Sequence, residues 1–366
     1  MTTDVTATAE SRRERTYQDT ARPLWQRWFF SREAAVVGVL VAVILYSMAN
    51  IQFFDSKITM TFLLLDVAPI LLIALPMTLI IITGEIDLSV ASTVALSSVL
   101  LGVLTDHGVP IALACLLALV AGAACGAING GLVTVLGLPS LAVTIGTLAL
   151  FRGVAVGLLG TTAITDFPDG WKSLAQGQVG STGVPNIMVP FAVLAVLFIL
   201  LLHFTAFGRG VYAIGQSQGA ARFSGVRVER TKFVVFVLSG VVSAFAGLYY
   251  TLRFGSSRGD NATGLELQVI AAVLLGGVSI FGGRGALPGV IAGVLLIGVM
   301  GSALRLDNYT SDVIQVITGL LLVFSVVATS FLAWLGNRRR RPPAPTNPDS
   351  QPRTTQTESA VSGSTK

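Results

Sequence analysis

MTFLLLDVAPILLIALPMTLIIITGEIDLSVASTVALSSVLLGVL, Met60 to Leu104, is mostly apolar apart from Asp66 and the point where Glu85 and Asp87 interrupt it. An α-helix rises about 1.5 Å per residue, so a hydrocarbon core of about 30 Å takes roughly 20 apolar residues. There is room for one crossing on each side of TGEIDLS, Thr83 to Ser89. The stretch therefore reads as two membrane helices joined by a short polar connection. A carboxylate facing lipid is costly unless paired or wet, which makes Glu85 and Asp87 candidates for function. They also stand where the second helix begins, where an acid complements the helix dipole and Asp87 or Ser89 can accept free N–H groups. Both readings stay open.

The same measure applied outward predicts an all-α, polytopic helical bundle of about ten spans. The first five lie near Ala34 to Phe54, Met60 to Thr83, Ser89 to Leu104, Ile111 to Leu136 and Leu141 to Leu159. The remainder lie near Ile187 to Phe204, Phe233 to Leu252, Leu267 to Phe281, Leu287 to Leu304 and Val313 to Leu335. Composition agrees: 53% of residues are hydrophobic and 12% charged, about half the charge of a soluble domain. The expected organisation is an N-terminal tail over 1–33, a membrane domain over 34–336, and a Ser, Thr and Pro-rich, disordered tail over 337–366. The first span follows an arginine-rich segment without a cleavage pattern and reads as a signal anchor.

An even number of spans puts both tails on one side, and the basic residues say which. Eighteen of the 24 fall on the tail side: six from Arg12 to Arg32, the group Arg209, Arg222, Arg227, Arg230 and Lys232, then Arg284, Arg338 to Arg341, Arg353 and Lys366. Only Lys57, Lys172, Arg253, Arg258 and Arg305 fall opposite, with Arg152 inside a span. The positive-inside rule then makes both termini cytoplasmic, and Trp25, Trp28 and Trp334 read as interfacial anchors on that side. This pattern also accounts for the net charge of +5 without a nucleic-acid partner.

The one sizeable loop on the tail side is GRGVYAIGQSQGAARFSGVRVERTK, Gly208 to Lys232. Its middle, Gln218 to Phe223, is predicted to form a short helix stopped by Ser224 and Gly225. Lying across the membrane face, such a helix suits docking into a partner, and a basic loop obeying the charge rule is the plainer alternative. Asp66, inside the second span, is read as lining a path for polar solute, as pairing with Arg152, or as sitting near the interface. Thr144 and Thr147 approximately share a face with Arg152, and pore lining and packing both suit them. Gly122, Gly126 and Gly130, and again Gly285, Gly289 and Gly293, recur every four residues, which lets helices approach closely within the chain.

Other chemistry is excluded by what its motifs need. GSSRG, Gly255 to Gly259, fits the serine-hydrolase pattern but lacks the strand, turn and helix of a nucleophile elbow, and His107 and His203 lie elsewhere. A P-loop needs glycine before lysine, whereas the lysines follow Ser56, Trp171, Thr231 and Thr365. Cys115 and Cys125, about 15 Å apart on one helix, cannot pair. No metal or cofactor site is expected.

ALPMTLIIITGEIDLSVAS from Ala74, LPSLAVTIGTLALFRG from Leu138, the loop from Gly215 to Val226 and LLGGVSIFGGRGALPG from Leu274 together resemble the permease subunits of bacterial ribose-type ATP-binding-cassette sugar importers, over roughly Thr61 to Val327. The loop is similar to that family's G-x-N-x-x-A-A-x-x-S-G-I, through Gly215, Ala220, Ala221, Ser224 and Gly225. Ser217 stands where asparagine is usual and Gly219 where an acid is common, departures that bear on the contacts with the ATPase; Glu85 stands where glycine is usual, which points to a rhamnose-like or autoinducer-like subgroup. The resemblance implies a multi-pass protein of the bacterial cell membrane, embedded in lipid, that moves a monosaccharide or similar small polar solute inward by alternating access. It further implies two ATPase subunits docked on the loop helix, an extracytoplasmic solute-binding protein, and a second permease, identical or homologous. Two rivals remain: an ion-coupled secondary transporter using Asp66, and an intramembrane hydrolase using Ser257.

Overall fold

A computed structural model describes residues 32–310 and, beyond them, the helical residues 312–317, 319, 320, 323 and 327. Trp25, Trp28, Trp334, both expected tails and most of the tenth expected span lie outside the described residues. Twelve named helices run α1 (Arg32–Asn50), α2 (Lys57–Ile82), α3 (Val90–Asp106), α4 (Ile111–Thr134), α5 (Ser140–Leu159), α6 (Asp169–Gln176), α7 (Met188–Phe204), α8 (Ala206–Gln216), α9 (Gln218–Phe223), α10 (Val228–Phe254), α11 (Leu265–Leu275) and α12 (Leu287–Leu306). Among the described residues there is no strand, only isolated bridges pairing Ile164 with Ser257 and Gln178 with Pro185. The chain is thus all-helical, as expected where backbone polar groups must be satisfied away from water.

Five helices, α2, α4, α5, α10 and α12, are long and apolar enough to cross a membrane. A sixth crossing is available if α7 and α8, bent by 67° at Thr205, count as one span. Shorter apolar helices fall at Ala34–Asn50, Val90–Asp106 and Leu265–Leu275. Two expected spans are corrected. The first ends at Asn50 rather than Phe54. The eighth does not run to Phe281: α11 stops at Leu275, because Gly276 and Gly277 follow and Gly277 adopts φ +95°, a conformation that ends a helix.

α2 is the axis of the bundle, with 94% of its apolar window buried. It starts under Ser56, whose hydroxyl accepts from the Thr59 N–H at 3.1 Å, and it contains Pro69 and Pro76. A proline ring cannot donate to the carbonyl four residues earlier. For Pro69 that carbonyl is Leu65, and the Tyr249 hydroxyl of α10 donates to it at 3.0 Å. A neighbouring helix thereby satisfies the group the proline releases.

α10 packs on α4, α3 and α2, and α12 on α1 and α2. The glycine spacing explains the closest of these contacts. A Cβ on Gly126 would stand 2.3 Å from the Phe236 carbonyl oxygen, and one on Gly122 2.6 Å from that of Gly240. Gly130 faces Phe233 in the same way, and Gly293 lies against the Ala272 carbonyl of α11. Both glycine series therefore serve packing within the chain. Cys115 and Cys125 are free thiols.

Candidate functional site

The polar side chains gather at the two ends of the bundle. At one end, here the α9 face, α9 begins at Ser217, whose hydroxyl accepts from the Ala220 N–H at 3.3 Å. Serine does there what an asparagine does at an N-cap, so this departure from the family pattern leaves the helix start intact. The helix ends at Ser224, and Gly225 turns the chain away at φ +82°, a conformation glycine adopts without cost. The residues predicted for a short helix are the ones that form it.

α9 has two different faces. Ala221 is buried with Ile214 and Val228, which seats the helix on the bundle. Ala220, Ser224, Gly225 and Phe223 point outward, and Phe223 is 96% exposed. Among the described residues nothing covers this ring. Gly215 has another purpose: a Cβ there would lie 1.8 Å from the Ile82 carbonyl oxygen and 2.4 Å from the Gly283 nitrogen. It lets the end of α8 touch the end of α2, where the Gly283 N–H also donates to Ile82 at 2.8 Å.

Behind α9 a pocket of about 370 Å³ is lined by residues that include Gln218, Arg222, Glu229, Lys232 and Glu85. Arg222 pairs with Glu229 at the surface, and Lys232 pairs with Glu85, both side chains nearly buried. Glu85 is therefore not a cap of α3; it joins the TGEIDLS connection to the start of α10. Asp87 instead holds Ser89, the residue at which α3 begins. Its Oδ1 accepts from the Ser89 N–H at 3.0 Å and the Ser89 hydroxyl at 2.7 Å, and its Oδ2 from Ser239 at 3.0 Å. Asn129 donates to Ser89 at 2.7 Å, so α2, α3, α4 and α10 meet around one buried carboxylate.

α5 holds the same connection from its other side. The Ser140 hydroxyl accepts from the Ile86 N–H at 3.2 Å, and the Thr144 hydroxyl donates to the Ile86 carbonyl at 3.2 Å. Thr147 donates to Val143 at 3.1 Å. Both threonines are buried within the chain. Arg152 does not meet Asp66. Its guanidinium donates to the carbonyls of Gly259 at 2.9 Å and Asn261 at 2.7 Å. Arg258 shapes that loop by gripping Asp260 through two hydrogen bonds of 2.9 Å, which hold the Asp260 carboxyl below the usual range.

At the opposite end, the α6 face, Asp66 accepts from Arg253 of α10 at 2.5 Å and Arg305 of α12 at 3.0 Å. Of the readings open for Asp66, pairing with Arg152 is excluded in this structure, and Arg253 and Arg305 share the carboxylate instead. Ser257, the serine of GSSRG, is buried with its hydroxyl committed to the Ser98 carbonyl at 2.8 Å.

Sequence reasoning singled out Asp66, Glu85 and Asp87 but missed their partners. Lys232, Arg253 and Arg305 entered it only as orientation charges, although each stands in or beside an apolar run, where an ion needs a counter-ion. Phe223 carried no signal, because an apolar side chain in a loop is legible as exposed only once the loop has folded.

The family model described as branched-chain amino acid transport system / permease component matches residues 59–326, nearly the extent that the quoted motifs cover. The chain is 36% identical over 321 residues to the autoinducer 2 import system permease protein LsrD of Yersinia enterocolitica, covering 84% of this chain and 96% of that one. It is 34% identical over 329 residues to the protein of the same name from Salmonella typhi, covering 86% and 98%. The protein of that name from Yersinia pseudotuberculosis is 35% identical over 331 residues, covering 87% and 98%. No solved structure matches. Matched over most of its length and built from membrane-length helices, the chain belongs to the family of transport-system permease components, and it is a transport subunit of the cell membrane rather than an enzyme.

Proposed function

We propose that this chain is the channel-forming subunit of an ATP-binding-cassette importer that admits a small, sugar-like solute, with autoinducer 2 the first candidate from its relatives' names. The observation that carries the reading is α9: a six-residue helix capped at both ends, offering Phe223 outward, and following directly on α8, whose Gly215 touches the foot of α2. An ATPase subunit docks on Ala220 and Phe223 from the cytoplasm. Both termini lie on that side and the chain crosses ten times, the bent α7–α8 pair forming one crossing and α1, α3, α11 and the segment from residue 313 making up the count. An extracytoplasmic binding protein delivers solute to the α6 face. A second permease, identical or homologous, completes the path along the exposed face of α5.

Movement of α9 reaches the pathway by contact alone. Gly215 bears on Ile82, and Arg222, Glu229, Lys232 and Glu85 bear on the connection around Asp87. Only contacts that differ between inward and outward states can convert ATP binding into motion, and these lie between the docking helix and the bundle. The test is uptake by the permease reconstituted with its ATPase and binding protein. Phe223→Asp and Ala220→Arg are expected to abolish ATP-driven uptake while leaving the ATPase active, and unchanged uptake in both sinks the assignment. The ion-coupled alternative finds no support in Asp66, whose two carboxylate oxygens are each already held by a guanidinium, one by Arg253 and one by Arg305. Uptake driven by an ion gradient with no ATPase present would nevertheless favour it.

A further inference from the structure

Resting on the importer reading, we propose that a pocket on the α6 face is a receiving site for a small, neutral, polyhydroxylated molecule, engaged by Arg253, Gln176 and Gln178 between the rings of Phe62 and Phe254. The pocket has a volume of about 430 Å³, within the span of small-ligand sites. It lies where α2 begins and α10 ends, beside α6, so it opens at the edge of the bundle. Asp66, nine residues and about 14 Å along α2 from Lys57, does not line it but borders a separate, smaller pocket of about 270 Å³ with Arg305.

The chemistry of the walls selects the ligand. Hydroxyl groups on adjacent carbons need donors and acceptors close together, and their C–H faces need an apolar plate. Arg253 is nearly buried and spends one Nη on Asp66. Gln176 spends its amide N–H on the Arg253 carbonyl at 2.8 Å, which leaves its own oxygen to accept. Gln178 lines the same pocket and can both donate and accept through its amide. Phe62 and Phe254 are each more than half exposed, and the Arg253 guanidinium lies 4.9 Å from the centre of the Phe254 ring. The anionic alternative is disfavoured by Asp66, whose carboxylate already stands where an acid group would pair with Arg253. Asp66 is a positioning residue: it fixes the guanidinium that faces the ligand.

The test uses the full-length permease in lipid nanodiscs and saturation-transfer NMR with two probes, D-ribose and its acid D-ribonate. Ribose is expected to show transfer to its ring protons. Binding should weaken about fivefold in Gln178→Leu, the loss of a single hydrogen bond, and vanish in Arg253→Met. Gln178 is exposed, so its variant decides the matter if Arg253→Met fails to fold. Gly146→Ala, at a position with nothing within 4 Å, should bind ribose as the parent does. Absence of transfer to ribose, equal transfer in Gln178→Leu, or preference for ribonate overturns the proposal. ATP-driven uptake that persists despite such a result removes this site and leaves the importer reading standing. Uptake that fails while ribose still binds does the reverse.

Discussion

Glu85 and Lys232 give the sharpest test of how the α9 face is wired. Their side chains are 12% and 8% exposed, and together they tie the TGEIDLS connection to the first turns of α10. Removing one member of a fully buried pair costs about 3–5 kcal/mol, because the other is left charged without a partner. Here a pocket of about 370 Å³ borders both and admits water, so Lys232→Met alone should cost about 2–3 kcal/mol, below that range. Glu85→Gln alone strands the lysine and should cost a similar amount. With both replaced no charge is stranded, and the double variant should lie within about 1 kcal/mol of the parent, because such pairs contribute little net stability over neutral groups. The cycle therefore predicts a coupling of several kcal/mol between the two positions, measured from unfolding midpoints of the detergent-solubilised permease. Strictly additive losses would show that the two do not meet, and the path drawn from α9 to Asp87 would fall with them.

Three further outcomes follow from the packing. Tyr249→Phe should cost about 1 kcal/mol, the worth of one buried hydrogen bond, but very little in a Pro69→Ala background, where the Leu65 carbonyl regains its helical partner; equal losses in both backgrounds would refute that role for Tyr249. Gly126→Leu should prevent accumulation of folded protein in the membrane, since even a Cβ meets the Phe236 carbonyl at 2.3 Å, whereas Gly146→Ala, with nothing within 4 Å, should leave expression unchanged. Ala221→Arg should lower the unfolding midpoint while Ala220→Arg should not, and both should block ATP-driven uptake, which separates the seated face of α9 from the presented one.

Much of the architecture was legible because the lipid solvent imposes a simple rule: long apolar runs become helices, and glycines at four-residue spacing become their closest contacts. α9 was legible to the residue, since Ser224 and Gly225 are local signals that need no tertiary context. The failures have a common cause. α11 was drawn too long because apolar content around Ser279 and Phe281 outweighed the Gly276–Gly277 pair that ends it. Arg152 was one of the partners open to Asp66, but which helix faces which is a property of the bundle. Glu85 resembled a cap because a cap is what the adjacent sequence provides for, and Lys232 lies 147 residues away. Local stops and spans are written along the chain, whereas ion pairs between helices appear only when the helices are assembled.

The junction of Gly215, Ile82 and Gly283 has a mechanical meaning. Side chains are springs: they swing between rotamers and absorb small displacements before passing them on. Where peptide planes rest directly against one another there is no such give, and a push on the surface helix arrives at the foot of the central helix nearly undiminished. Any residue bulkier than glycine at 215 would insert a cushion, trading a stiff linkage for a soft one.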